Sequence, residues 1–171
     1  INLSKSRLPA DSQPVAQASV SAPFQSTRSD ARATAPEAVL RGLAPDGGLY
    51  VDPEIASGNF DVQSCLSLDP LGQSEKILSR LLPGFGDMGP LVHRAYEGRF
   101  ASEELTPLVP VGDDYVLELF HGPTAAFKDV ALCMLPQLMT AARGLTGMKD
   151  KTVILTATSG DTGKAALEGF H

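Results

Sequence analysis

Along the first 23 residues, INLSKSRLPADSQPVAQASVSAP, apolar and polar positions follow neither a strand period nor a helix period. Ser, Ala, Pro and Gln dominate, which predicts a loosely ordered extension, with a transit-like or linker segment as the alternative. Organised patterning begins after it. Thr34 and Glu37 stand in capping-box register, Pro36 falls in the first turn, and Ala38, Val39 and Leu40 follow, so a short helix is expected to end near Gly42. Asp46, Gly47 and Gly48 make a turn signal ahead of a short strand at 49–51. Ile77, Leu78, Leu81 and Leu82 recur on one side of a helix expected over 74–82. Leu91, Val92, Ala95, Tyr96 and Arg99 recur the same way behind Pro90, over 90–100. His93 lies in that second helix and reads as a packed or surface histidine rather than a ligand.

The pattern changes at about residue 106. TPLVPVGDDYVLELF reads as two extended segments around a Gly112-Asp113-Asp114 turn, with Pro107 and Pro110 confining the first to an edge or a loop. The second runs into His121, Gly122 and Pro123. A helix carrying Val130, Ala131, Met134, Leu135, Leu138 and Met139 follows Lys128, and Pro136 is expected to kink or shorten it. TVILTATSGDTGKAALEGF then predicts a β-branched strand, a small-residue turn and another helix. Strand, helix, strand, helix implies a right-handed βαβ unit whose turns lie at the carboxyl edge of a parallel sheet, where open α/β sheets bind ligands. The expected class is α/β, divided into an extension over 1–23, a mixed amino-terminal region over 24–105 and the incomplete start of an α/β domain over 106–171.

Composition narrows the options. Of 171 residues 43% are hydrophobic and 20% charged, enough for a packed core rather than a disordered chain. The formal charge of -6 and the scatter of the basic residues argue against nucleic acid. Cys65 and Cys133 are distant and the three histidines have no ligand spacing, so a reduced cytoplasmic setting without a structural metal is expected. No apolar run reaches the length of a bilayer span. Ile1 replaces an initiator Met and His171 ends the chain inside a predicted helix, which reads as a piece of a longer protein.

Two places carry candidate chemistry. Lys128 sits at a strand-to-helix seam, where the positive end of the helix macrodipole disfavours a charged amine. That suits an amine that must lose its proton and attack a carbonyl better than it suits a salt bridge. TSGDTGK, opening the last helix, has a plain reading as cap and turn chemistry. A phosphate-binding P-loop is the sharper rival, but its spacing requires Gly at Thr158 and Ser or Thr at Ala165. A helix amino terminus flanked by the hydroxyls of Ser159 and Thr162 remains, suited to a carboxylate or a phenolate oxygen.

STR (26–28), EAVLRGLAPDGGLYV (37–51), ELFHGPTAAFKDVA (118–131) and TATSGDTGKAALEGF (156–170) together resemble the amino-terminal part of the threonine synthase family, pyridoxal-phosphate enzymes of fold type II. A lysine and an SGDTG-type loop recur across fold type II, in serine/threonine dehydratases and cysteine synthases among others. APDGGLYV joined to FHGPT and FKD points to threonine synthase. Ser29 departs from the Gly usual after the first triplet, and Ala125 from a larger apolar residue, often Leu. The family's glycine-rich phosphate cradle and the partner of the pyridine nitrogen lie beyond residue 171.

The resemblance implies an α/β fold in which the mixed amino-terminal region is followed by the first βαβα elements of a fold type II domain. It implies conversion of O-phospho-L-homoserine and water to L-threonine and phosphate, with pyridoxal 5'-phosphate held covalently by Lys128, which then serves as general acid and base. Phe127 is expected beside the lysine or the ring. Ser159, Gly160, Asp161, Thr162 and Gly163 are expected to form the turn near the cofactor and the substrate carboxylate, with Asp161 pointing back into the turn as an alternative. His121, Thr124 and Thr158 join Ser159 and Thr162 as candidates for substrate contact, while Gly122 and Pro123 shape the loop. Asp129, about 100° around the helix from Lys128, is not assigned as its counterion. The piece alone is expected to be inactive. A noncatalytic fragment or interaction module, another fold type II enzyme such as a serine/threonine dehydratase, and a nucleotide-binding α/β domain stand as alternatives.

Overall fold

A computed structural model describes residues 22–55, 60–158 and 160–171. The expected extension therefore lies outside the described residues except for its last two, and so does Ser159. Strand β1 (Phe24–Ser26) is the centre of a three-stranded antiparallel sheet, between β2 (Arg32–Ala33) and β3 (Tyr50–Val51). Phe24 stands opposite Ala33, and Gln25 opposite Val51. The turn after β1 locks to the turn before β3. The Ser26 hydroxyl donates to Asp46 Oδ1 at 2.8 Å, the Gly48 N–H donates to the same oxygen at 2.8 Å, and a Cβ at Gly48 would overlap Ser26 Oγ. The Ser29 hydroxyl, then the Gly48 N–H and the Ser26 hydroxyl, hold the Asp46 carboxyl below the usual carboxylate range.

Helix α1 (Ala35–Arg41) opens with the expected capping box. The Glu37 N–H donates to Thr34 Oγ1 at 3.4 Å and the Thr34 N–H to Glu37 Oε2 at 2.9 Å, and Gly42 ends the helix at φ 69°. A single-turn helix, α2 (Gln63–Leu66), has no counterpart in the apolar periodicity. Helix α3 (Pro70–Leu81) begins four residues before the expected start at 74, because Asp69 caps it by accepting from Gly72 N–H at 2.8 Å and Pro70 fits its first position. Helix α4 (Gly89–Tyr96) ends earlier than 100. His93 lies on its solvent side, 3.0 Å from Glu97, as a surface pair.

Strands β4 (Leu108–Val111) and β5 (Asp114–Leu117) form a hairpin with Leu108 opposite Leu117 and Val111 opposite Asp114. Helix α5 (Asp129–Thr146) passes through Pro136 as one assigned helix, and α6 (Asp161–Phe170) packs against it. Pro136 has no N–H for the Leu132 carbonyl four residues earlier. Gly169 of α6 approaches that carbonyl so closely that a Cβ there would overlap it. The missing hydrogen bond and the missing side chain thus meet at one helix crossing.

One core holds most of the molecule. Phe24, Ala35, Phe85, Met88, Leu91, Val92, Ala95 and Tyr96 close on the Cys133, Met134, Leu138 and Ala142 face of α5. The Tyr96 hydroxyl donates to the Val130 carbonyl at 2.8 Å, and burial, with the Cys133 thiol beside it, pushes its pKa up to about 12.

The predicted strand in TVILTAT differs from expectation. Residues 152–158 are not assigned to any strand, and among the described residues no parallel pair joins them to β5, whose partner is β4. β-Branched residues favour extended backbone, but a strand also needs a neighbour to complete its hydrogen bonds.

Candidate functional site

The chain leaves β5 and crosses residues 118–128 before entering α5. His121 Nε2 lies 2.7 Å from Glu118 Oε2, and the His121 ring stacks on Phe120 with centroids 4.6 Å apart. Both contacts hold His121 to its own loop. Asp129 is the pivot on which residues 122–126 turn. Its carboxylate, 1% exposed, accepts from the Thr124 N–H at 2.8 Å, the Thr124 hydroxyl at 2.6 Å and the Ala126 N–H at 3.4 Å. Gly122 passes so close to Asp129 that a Cβ at that position would overlap the aspartate side chain. This is the physical reason for the glycine in HGPT. Ala125, between the two anchored residues, is left-handed at φ 56°.

Lys128 is the residue from which α5 starts, half-buried, with its Nζ 3.9 Å from the centroid of the Phe127 ring. Among the described residues it makes no ion pair. Phe127 is 59% exposed, so one ring face is in use and much of the ring is uncovered.

The second motif opens α6. Thr158 Oγ1 accepts from the Gly160 N–H at 3.0 Å and the Gly163 N–H at 3.2 Å, so this hydroxyl caps the helix. Asp161, Thr162 and Gly163 form the first turn. Ser159 lies outside the described residues. The Lys164 Nζ reaches back and donates to the Thr124 carbonyl at 2.9 Å, tying the two motifs together. A depression of about 310 Å³ lies at this junction, lined by Pro123, Thr124, Lys164, Leu167, Glu168 and His171. Larger grooves of about 390 and 530 Å³ lie between α3, the end of α4 and the loop after it, and take in neither Lys128 nor the α6 turn.

Sequence reasoning names Lys128, Phe127 and the α6 turn, but it passes over two structural partners. It declines Asp129 as the counterion of Lys128 and gives it no other role, and the lysine that ends TSGDTGK, Lys164, is given none. The Thr124 hydroxyl, a candidate for substrate contact, is engaged by Asp129. Among the described residues, no cluster of His, Cys, Asp and Glu could hold a metal ion and no helix is long and apolar enough to cross a membrane.

A family model described as "Threonine synthase N terminus" matches residues 23–67. Threonine synthase of Saccharomyces cerevisiae is 39% identical over 168 residues, a match covering 86% of this chain and 32% of that protein. Human threonine synthase-like 1 is 35% identical over 144 residues, covering 78% of this chain and 19% of that protein. A crystal structure of PLP-bound threonine synthase from Brucella melitensis superposes with a TM-score of 0.77 at 36% identity, over 88% of this chain and 33% of that one. The chain thus has the mixed α/β fold of that structure and spans about a third of the length of the yeast and Brucella proteins.

Proposed function

This chain belongs to the threonine synthase family, and from that premise we propose that the protein carrying it binds pyridoxal 5'-phosphate through Lys128 and converts O-phospho-L-homoserine and water to L-threonine and phosphate. The observation that carries this reading is the setting of Lys128. Its amine is half-buried at the start of α5, rests over the Phe127 face and makes no ion pair among the described residues. An amine so held can attack an aldehyde carbon without first breaking a salt bridge. At this point the residues present fit a carbonyl-bearing cofactor.

When bound, the cofactor supplies an electron sink for negative charge developing on substrate carbon. The chain's own residues supply the rest. Lys128 Nζ, once the substrate amine has taken its place, holds and moves the proton at the substrate carbons. Gly160, Asp161, Thr162 and Gly163, with Ser159, make the turn that receives the substrate carboxylate. What supports this is that two of its N–H groups, those of Gly160 and Gly163, already take an oxygen acceptor, Thr158 Oγ1. Phe127 lines the amine's approach. The fixed pose of the 122–128 loop keeps the amine at one place relative to α5, which is how positioning lowers a barrier.

The test uses the protein that carries this chain in full length. Reduction with borohydride in the presence of pyridoxal phosphate is expected to label Lys128 alone, and Lys128→Ala to abolish the label and the release of phosphate from O-phospho-L-homoserine. Labelling at another lysine overturns the assignment. Production of a 2-oxo acid from serine or threonine, with no phosphate release from phosphohomoserine, would favour a dehydratase instead. Residues 1–171 alone are expected to give no turnover.

A further inference from the structure

We propose that Lys164 is a positioning residue for Lys128: by bonding to the Thr124 carbonyl it locks the loop that carries the cofactor amine to the α6 turn that receives the substrate. The inference rests on the reading of Lys128 as the cofactor lysine.

Thr124 is buried, and each of its polar groups has a partner. Its N–H and hydroxyl donate to Asp129 at 2.8 and 2.6 Å, and its carbonyl accepts from Lys164 at 2.9 Å. Asp129 therefore fixes Thr124 from the α5 side, and Lys164 fixes it from the α6 side. The choice made by Lys164 is informative. Glu168 lies four residues along the same helix, within reach of a lysine although in the weaker lysine-first order. Glu168 pairs instead with Arg99 at 3.4 Å, and the Lys164 ammonium takes the carbonyl. A hydrogen bond from a charged donor is stronger than a neutral one, and this one spans the two motifs.

The loop shows why such a tie is needed. Ala125, next to Thr124, is held left-handed at φ 56°, a conformation that an alanine keeps only where its surroundings over-determine it. Asp129 anchors Thr124 and Ala126 on either side of it. With the carbonyl also held, motion of α6 carries the loop with it, so the amine and the carboxylate-receiving turn keep their spacing. Lys164 thus acts through Thr124 on Lys128 and need not touch cofactor or substrate.

The experiment compares Lys164→Met and Lys164→Arg with the parent, in the full-length protein. Met removes the donor, and Arg keeps one within reach. Amide exchange of the peptide spanning 120–130 is expected to quicken about three- to tenfold in Lys164→Met, the net scale of one hydrogen bond. Borohydride trapping of the cofactor at Lys128 is expected to slow by a similar factor while the thermal midpoint holds, and Lys164→Arg is expected to restore both rates. Parent-like exchange and trapping in Lys164→Met would overturn the proposal, as would equal disturbance by Met and Arg. If the label in the parent maps to another lysine, the reading of Lys128 fails on its own, and the exchange comparison still decides whether Lys164 holds the loop.

Discussion

Met88 and Leu155 belong to two regions whose apolar side chains have opposite fates. Met88 is 1% exposed, enclosed by the helices and strands of the amino-terminal region and by one face of α5. Leu155 is 93% exposed and its near neighbour Val153 77%, although VIL at 153–155 has the composition of a buried strand. The hairpin of β4 and β5 sides with Leu155: it has no third strand among the described residues, and Leu108, Val111, Tyr115, Val116 and Leu117 are all exposed. Two paired strands rarely stand alone in water. The amino-terminal region therefore shares a closed core with one face of α5, whereas the exposed apolar residues of the β4–β5 hairpin and of 153–155 find no such cover among the described residues. Leu49 and Val51 leave some apolar surface uncovered at the three-stranded sheet too, but the exposed hairpin runs directly into the lysine loop, where Phe120 and Phe127 are also exposed.

The largest test of that contrast is Met88→Ala. Truncating a fully enclosed methionine removes its transfer free energy and leaves a cavity, at a cost of about 2–5 kcal/mol. Urea unfolding of the 171-residue chain should show the midpoint falling accordingly. A loss below about 1 kcal/mol would mean that the amino-terminal core is not a closed unit.

A smaller and more local effect is expected from Gly169→Ala. Alanine gains about 1 kcal/mol in helix propensity over glycine, but its Cβ would overlap the Leu132 carbonyl oxygen, and backbone cannot turn aside as a side chain can. Overpacking of about 1–3 kcal/mol exceeds that gain, so α6 is expected to lift from α5 while the core around Met88 stays intact. Limited proteolysis or amide exchange should show residues 161–170 opening before 85–96. Simultaneous opening of both segments would show that α6 belongs to the same cooperative unit as the core, and would blur the division between the regions.

The parts legible in the sequence are those whose causes are local. Thr34 and Glu37 define a capping box three residues apart, and Gly112-Asp113 defines a hairpin turn, so α1 and the β4–β5 pair can be expected from single stretches of chain. The start of α3 is legible in principle through Asp69-Pro70, but that signal precedes the apolar stripe on which periodicity depends. Lys128 stands out because its place at a helix start is itself local. Its supports are hidden because Lys164 and Thr124 lie 40 residues apart, and nothing in a lysine's neighbours says which carbonyl it will find. The role of Gly122 depends on the side chain of Asp129 crossing its path, which is a fact of packing. Residues 152–158 mark the other limit: composition states that a segment favours extended backbone, but pairing belongs to two segments at once.

The smallest expected effect is the most discriminating. Leu155→Ser in the 171-residue chain should change stability by no more than about 0.5 kcal/mol, the range of ordinary surface substitutions, because the leucine has almost no contact to lose. The same change at an enclosed leucine would remove about 1.5–3 kcal/mol of burial and strand a hydroxyl among apolar atoms. The serine also reduces the exposed apolar run at 153–155, so the chain should become more soluble as its stability holds. Paired melting and light-scattering measurements on parent and variant would check both halves. A loss above about 1 kcal/mol would show that Leu155 is buried in solution, by a fold-back of this chain or by a second copy, and concentration dependence of the midpoint would separate the two. In either case the contrast with Met88 would collapse, and the apolar run at 153–155 would already have its cover.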